Sequence, residues 1–336
     1  MKFREGDFIE TKEKLIFDVK GLVHPPRKVI AFVRYIPDPK GDREKFGLKY
    51  KKIYELSERY EFLRKEYPQY LVYDNVFNEY LCEASFERIA FHYKPHEKVL
   101  ELQKRSNLED VERRSIEFVN FLSGSAEVPI SNIGISGSIL VGLFSKISDI
   151  DIIIYGINNC IAVYDGLKRL LNEGRSIKPY DPDFLSKLHE IRHKDTGVSL
   201  RDYVFNERRK SFQGFFKGRD FFVRYVKDWN DINEKYGETI YKTVGYSKIK
   251  AVVIDDSDAI FTPCTYSLDN VEVIEGEEYT PIREVASFRG RFCEQAKTGE
   301  KILAQGKLER VEGKGMSYYR LLLGNSVRDF MITINR

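Results

Sequence analysis

At 336 residues the chain is long for one core, and its 42% hydrophobic content, with 23 Phe and 21 Tyr, is ample for two or three packed domains. A mean hydropathy of −0.43 and the lack of any run near the roughly 18 unbroken apolar residues of a spanning helix exclude a helical membrane protein. The net charge of +3 excludes a global field as the means of holding nucleic acid, so any such contact has to come from a local patch.

The N-terminal MKFREGDFIETKEK is charged from its start and carries no apolar signal core, which leads us to expect a cytoplasmic protein. Cys82, Cys160, Cys264 and Cys293 stand singly, with no C-x-x-C spacing for zinc or redox work, and read as buried small hydrophobes.

Residues 1–94 open with alternating β-branched segments, "DFIETKEKLIFDVKGLV" and "RKVIAFVRYIP", parted by His24-Pro25-Pro26 and Asp38-Pro39. A helix over "YKKIYELSERYEFLRKEY" follows, stopping before Pro68. These predict an N-terminal α+β domain. Residues 95–245 turn helical: "HEKVLELQKRSNLEDVERRSIEFVNFLSG" is periodic and ends at Gly124, "NNCIAVYDGLKRLLNEG" ends at Gly174, and Asp181-Pro182 opens a further helix. Lys217-Gly218 marks a hairpin turn in "QGFFKGRDFFVRYVKD". Residues 246–336 lose the helical period and break into short strand-like runs, which predicts a small all-β, barrel-like domain. The expected fold class is therefore α+β and multidomain.

Between the helices lies "GISGSILVGLFSKISDIDIIIYG", a buried isoleucine strand interrupted by Asp149 and Asp151. Residues two apart on a strand share a face, so the two acids lie beside Ile153, about 6–7 Å apart, while Ile150, Ile152 and Ile154 fill the other side. Two carboxylates this close repel and lose hydration, a cost that cations relieve. Magnesium, or manganese in its place, suits oxygen ligands completed by water and substrate phosphates. Upstream, Gly137-Ser138 sits between the short strand "SNIGI" and the apolar "ILVGLF", a strand-to-helix turn whose amides and hydroxyl suit a phosphate.

The pattern G-S-x3-G-x5-S-D-x-D, with Gly137, Ser138, Gly142, Ser148, Asp149 and Asp151 in its fixed positions, resembles the active-site motif of the polymerase-β-type nucleotidyltransferases. The motif spans about twenty residues, and the surrounding helices extend the resemblance loosely over about residues 100–235. The whole chain also resembles an uncharacterised archaeal group of predicted nucleotidyltransferases. The resemblance implies a mixed sheet flanked by helices, two magnesium ions on Asp149 and Asp151, and an incoming nucleoside triphosphate held by Gly137, Ser138 and Ser148. It also implies cations after Gly-Ser, where this chain has Ile139, Leu140 and Val141; Lys146 is the nearest cation left. The family's third carboxylate, on a neighbouring strand, would serve as general base or shared ligand. The strand "RDFFVRYVKD" carries Arg224 at its centre, which leaves Asp220 as first choice and Asp228 as second.

Three other signals compete. His189-Glu190-Ile191-Arg192-His193 spells H-E-x-x-H, the spacing of a zinc hydrolase, although Arg192, Lys187 and Lys194 crowd it with charge and Glu207 is the one plausible further ligand. The stretch 208–229 interleaves Arg208, Arg209, Lys210, Lys217, Arg219, Arg224 and Lys227 with Phe212, Phe215, Phe216, Phe221, Phe222, Tyr225 and Trp229. It fits either an RNA-binding surface or an ordinary hairpin with its aromatics turned inward. Asp255, Asp256 and Asp258 fit a turn better than a metal site. No Walker lysine loop, dinucleotide glycine motif or nucleophile elbow occurs. Three functions follow as expectations: nucleotidyl transfer to an acceptor hydroxyl, nucleotide or RNA binding with little catalysis, and zinc-dependent hydrolysis.

Overall fold

The computed structural model describes residues 2–192 and 197–334. The chain is α+β and divides into two compact units, the first made of Met1–Val72, Tyr80–Pro179 and Ser211–Asn233, the second of Tyr73–Glu79, Tyr180–Lys210 and Glu234–Arg336.

The first unit begins with β1 (Phe8–Thr11), β2 (Ile16–Val19), β3 (Lys28–Pro37), β4 (Arg43–Lys45) and β5 (Leu48–Lys52), followed by α1 (Leu56–Glu66), β6 (Leu71–Asp74), β7 (Glu79–Ser85) and β8 (Ile89–Tyr93). The order β4-β5-β3-β2-β1-β8, with β7 on β3 and β6 on β7, makes an eight-stranded sheet. Phe17, Val19, Val29, Ala31 and Val33 form its core with Leu63 of α1 and Tyr70.

Then come α2 (Pro95–Lys104), α3 (Asp110–Ala126), β9 (Ile133–Ile135), α4 (Gly137–Val141), β10 (Ile150–Tyr155), α5 (Ile157–Glu173), β11 (Ile177–Lys178), β12 (Gln213–Phe216) and β13 (Arg219–Val226). The long helical stretch is thus two helices. α3 starts at a reciprocal cap between Glu109 and Glu112, and it runs past Gly124 to Ala126, where Glu127 adopts a left-handed conformation. α5 ends at Gly174 as its pattern predicts. β11-β12-β13-β10-β9 form a mixed five-stranded sheet in which only β10 and β13 run parallel. The Phe118 ring of α3 lies 4.7 Å from that of Phe221, so the helices cover the face carrying Phe221 and its strand partner Ile150.

In the second unit, α6 (Pro182–Arg192) and α7 (Leu200–Glu207) precede β14 (Thr239–Asp255), β15 (Cys264–Gly276), β16 (Ile282–Ser287), β17 (Lys301–Gly313), β18 (Met316–Leu323) and β19 (Phe330–Thr333). The six strands follow the order β14-β15-β16-β18-β17-β19, and β14 also pairs with β17, so the sheet curls back on itself.

These limits differ from the expected spans 1–94, 95–245 and 246–336, for two physical reasons. Phe8, Ile16, Tyr35 and Tyr50 share one buried cluster with Leu140, Val141 and Leu143, which joins the N-terminal sheet to the α4 region. Conversely, Thr333 donates to Asn206 of α7 at 3.4 Å and Arg209 pairs with Glu300 at 2.6 Å, which places α7 with the C-terminal strands. All four cysteines are buried thiols outside any disulfide. No helix among the described residues is long and apolar enough to cross a membrane.

Candidate active site

The isoleucines fix the position of β10. Ile150, Ile152 and Ile154 are fully buried, and alternation sends Asp151 and Ile153 to the face opposite the helices. Ile153 is covered there by the N-terminal segment: a Cβ added to Gly6 would come 2.7 Å from its terminal methyl. Asp151 instead borders a cleft of about 60 Å3.

The turn between β9 and α4 forms one wall of this cleft. Gly137 has a φ of 61°, and a Cβ there would stand 2.7 Å from Asp151 Cγ and closer still to Oδ2. Glycine is thus required both by the backbone and by the carboxylate packed on it. The Ser136 hydroxyl donates to the Gly6 carbonyl at 2.7 Å. Ser138 lines the cleft and its hydroxyl donates to Ser148 Oγ at 3.2 Å, which also accepts from the Ser145 N–H at 2.9 Å. Ser148 therefore braces the loop from within. Lys146 is exposed; Arg219 donates to its carbonyl at 2.7 Å, and it is not among the residues lining the cleft.

Leu140 and Val141 occupy the positions where the motif implies cations, and they are buried against the N-terminal sheet. That sheet brings its own charges: Arg34 and Lys52 line the cleft with Asp18 and Tyr35. Lys52 pairs across the strands with Tyr35. No sequence signal marks these residues, because the elements that bring them to Asp151 lie about a hundred positions away.

Burial and the neighbouring Asp149 charge push the Asp151 carboxyl up to about 7. Burial, then the Arg34 charge, lowers the Lys52 ammonium against the pull of Asp149 and Asp151. Arg224 is already engaged, 2.6 Å from Glu5 and 3.9 Å from Asp18. Lys20 joins the same two acids at 3.1 and 2.7 Å. Burial opposes ionisation of Asp18, but Lys20 and Arg224 outweigh it and hold its carboxyl below the usual carboxylate range.

The parallel pairing of β10 with β13 sets Phe222 beside Asp151 and Arg224 beside Ile153. Asp220, one residue before the Phe221–Ile150 pair, falls opposite Asp149. Asp228 lies at the other end of β13, about 20 Å along the strand direction from Phe222, where it caps a turn by accepting from the Trp229 N–H at 2.7 Å. The geometry thus separates the two candidates for a third carboxylate. Among the described residues, no three His, Cys, Asp or Glu side chains are gathered to hold a metal ion.

The competing signals fall elsewhere. His189 Nε2 donates to the Val198 carbonyl at 3.0 Å, and its ring lies 5.1 Å from that of Tyr203. Glu190 is on α6, while His193 and Lys194 lie outside the described residues. Glu207 bonds Lys210. In the stretch 208–229, Phe212, Phe216, Phe221 and Tyr225 are buried. Several of its cations are tied to acids: Lys217 to Glu117 at 2.8 Å, Arg219 to Asp110 at 2.9 Å and Arg224 to Glu5. Those aromatic faces are turned into the core and not toward a ligand. Asp255 accepts from the Ser257 N–H at 2.9 Å and Asp256 from the Thr298 hydroxyl at 2.6 Å, the bonding of a turn.

Among curated proteins the chain is similar to the uncharacterized protein MJ1086 of Methanocaldococcus jannaschii, with 34% identity across 98% of each chain. No family model matches the chain. No solved structure matches it either.

Proposed function

The chain belongs to the family of the M. jannaschii protein MJ1086, and from the geometry of its cleft we propose that it is a magnesium-dependent nucleotidyltransferase. One observation carries this reading. Asp151 stands on a strand immobilised by buried isoleucines, packed over the Gly137 turn, with Asp149 two residues ahead.

The donor set fits magnesium or manganese. Asp149 and Asp151 offer hard carboxylate oxygens, and neither forms an ion pair with a described residue. Two protein carboxylates, with water and substrate phosphate completing the shell, are what magnesium commonly takes. A bound magnesium ion would supply charge neutralisation at the reacting phosphate and at the leaving oxygen. Asp149 and Asp151 would hold it, and Ser138 would steady the phosphate beside it. Asp220, one residue before the Phe221–Ile150 pair, would take the proton of the acceptor hydroxyl. The acceptor oxygen would bond to the α-phosphorus of a nucleoside triphosphate as the bond to pyrophosphate breaks.

The test is release of pyrophosphate from each nucleoside triphosphate with magnesium or manganese and a panel of RNA, protein and small-molecule acceptors. Loss of release in Asp149→Ala and Asp151→Ala is expected; no release in any combination, or full release by both variants, would sink the reading. A second reading, nucleotide binding with little catalysis, draws on the lack of a gathered three-acid group among the described residues. It predicts saturable nucleotide binding with no pyrophosphate formed.

A further inference from the structure

The cations near Asp151 fall into two sets. Lys20 and Arg224 are bonded to Glu5 and Asp18. Arg34 and Lys52 both line the cleft, and neither side chain forms an ion pair or a hydrogen bond with a described residue. Their close company is the Tyr54 ring, 5.6 Å from the Arg34 guanidinium and 4.9 Å from the Lys52 ammonium. Arg43, on the adjacent β4, has buried Nε and Nη1 atoms without a hydrogen-bond partner, and its Nε stands 3.2 Å from an Asp42 carboxylate oxygen as an ion pair. The Arg34 and Arg43 charges both disfavour the Lys52 ammonium.

Holding like charges together in a partly buried cleft is costly unless an anion joins them. The nearby acids compensate by charge alone: Asp149 and Asp151 favour the Lys52 charge, Lys52 and Arg34 favour the Asp151 charge in return, and neither acid bonds either cation. The cleft thus has two sides, the Asp151 carboxylate suited to a metal ion and the Arg34 and Lys52 cations suited to an anion. Its volume of about 60 Å3 is several times the roughly 10–15 Å3 that admits one water, room for one phosphoryl group. The other sources of positive potential are weak here, since α4 is only five residues long and positions 139–141 are apolar and buried.

We infer that Arg34 and Lys52 of the N-terminal sheet, with Arg43 behind them, form a polyphosphate-binding site that takes a terminal phosphate of the nucleoside triphosphate. This rests on the reading that the ligand places its phosphates beside Asp151. It assigns the N-terminal sheet a direct part in substrate binding, and it explains how the cleft dispenses with cations at positions 139–141. The two cations on neighbouring strands would bracket the phosphate oxygens by charge-assisted hydrogen bonds.

Calorimetric titration of the full chain with magnesium tripolyphosphate tests the site without any need for turnover. The native protein should bind, Lys52→Met and Arg34→Met should each weaken binding about tenfold or more, and Lys52→Arg should recover most of the loss. Lys65→Met, at a side chain 83% exposed, should bind as the native protein does. On the native protein, tripolyphosphate should shield the Lys52 amine from acetic anhydride while Lys65 goes on reacting, a readout that needs no variant to fold. Undiminished binding by both Met variants, or Lys52 acetylation at the same rate with and without tripolyphosphate, would overturn the inference. Binding with these losses but no pyrophosphate release would leave the phosphate site standing and remove the transferase reading. Release with unchanged KM in both Met variants would do the reverse.

Discussion

Replacing Gly137 by alanine tests the packing of Asp151 directly. At a φ of 61° a residue with a Cβ is strained by about 1–2 kcal/mol. The added Cβ would also press on Asp151, 2.7 Å from Cγ and 3.1 Å from Cβ, and overpacking of this kind costs about 1–3 kcal/mol. Gly137→Ala should therefore destabilise the first unit by about 2–5 kcal/mol. The single tryptophan, Trp229, belongs to that unit, so urea unfolding followed by its fluorescence reports on the right structure. In an Asp151→Ala background the carboxylate is gone and only its Cβ remains, and the same substitution should cost little beyond the backbone strain, about 1–2 kcal/mol. The difference between the two costs isolates the contact. If Gly137→Ala costs the same in both backgrounds within about 0.5 kcal/mol, the carboxylate does not rest on the glycine turn and the reasoning fails.

Two further predictions concern pH. The Asp151 carboxyl is raised to about 7 in the fold, so the native state holds this proton where the unfolded chain has lost it; relative to Asp151→Asn, stability should fall as pH rises from about 4 to about 7. Thermal melts in chelator should show this, and magnesium above that window should raise the native midpoint while leaving Asp151→Asn unmoved. His24 behaves oppositely. Burial lowers its pKa to about 4, and it accepts from the Ile30 N–H at 3.3 Å, so its contribution is fully present above about 6.5 and is lost as pH falls through about 4. The stability advantage of the native protein over His24→Gln should shrink across that window, and a constant difference would contradict the assignment.

Much of the geometry of β10 was legible from local pattern. Period-two alternation turned Asp151 away from the helices, and the Gly-Ser spacing located the turn beneath it, because both features depend on residues within about twenty positions of each other; Asp149 stands just before the strand. The ambiguity between Asp220 and Asp228 was of another kind: both flank one strand, and only its parallel register with β10 sets Asp220 opposite Asp149. The basic and aromatic stretch 208–229 was equally open until the core claimed Phe212, Phe216 and Phe221. Composition does not say which side of a hairpin meets water when both sides carry large side chains.

What the sequence determined by itself was the local order: the isoleucine strand, the acids at its start, the glycine turn and the helix that ends at Gly174. The tertiary structure alone decided what faces those acids. Residues 139–141 look like a defect in a phosphate-binding motif, yet Leu140 and Val141 pack with Tyr35 and Tyr50, and this contact draws Arg34 and Lys52 into the cleft. Hydrophobic burial is non-directional and carries no trace of its partner in the sequence; only when the two sheets close on one core do charges about a hundred residues apart become neighbours.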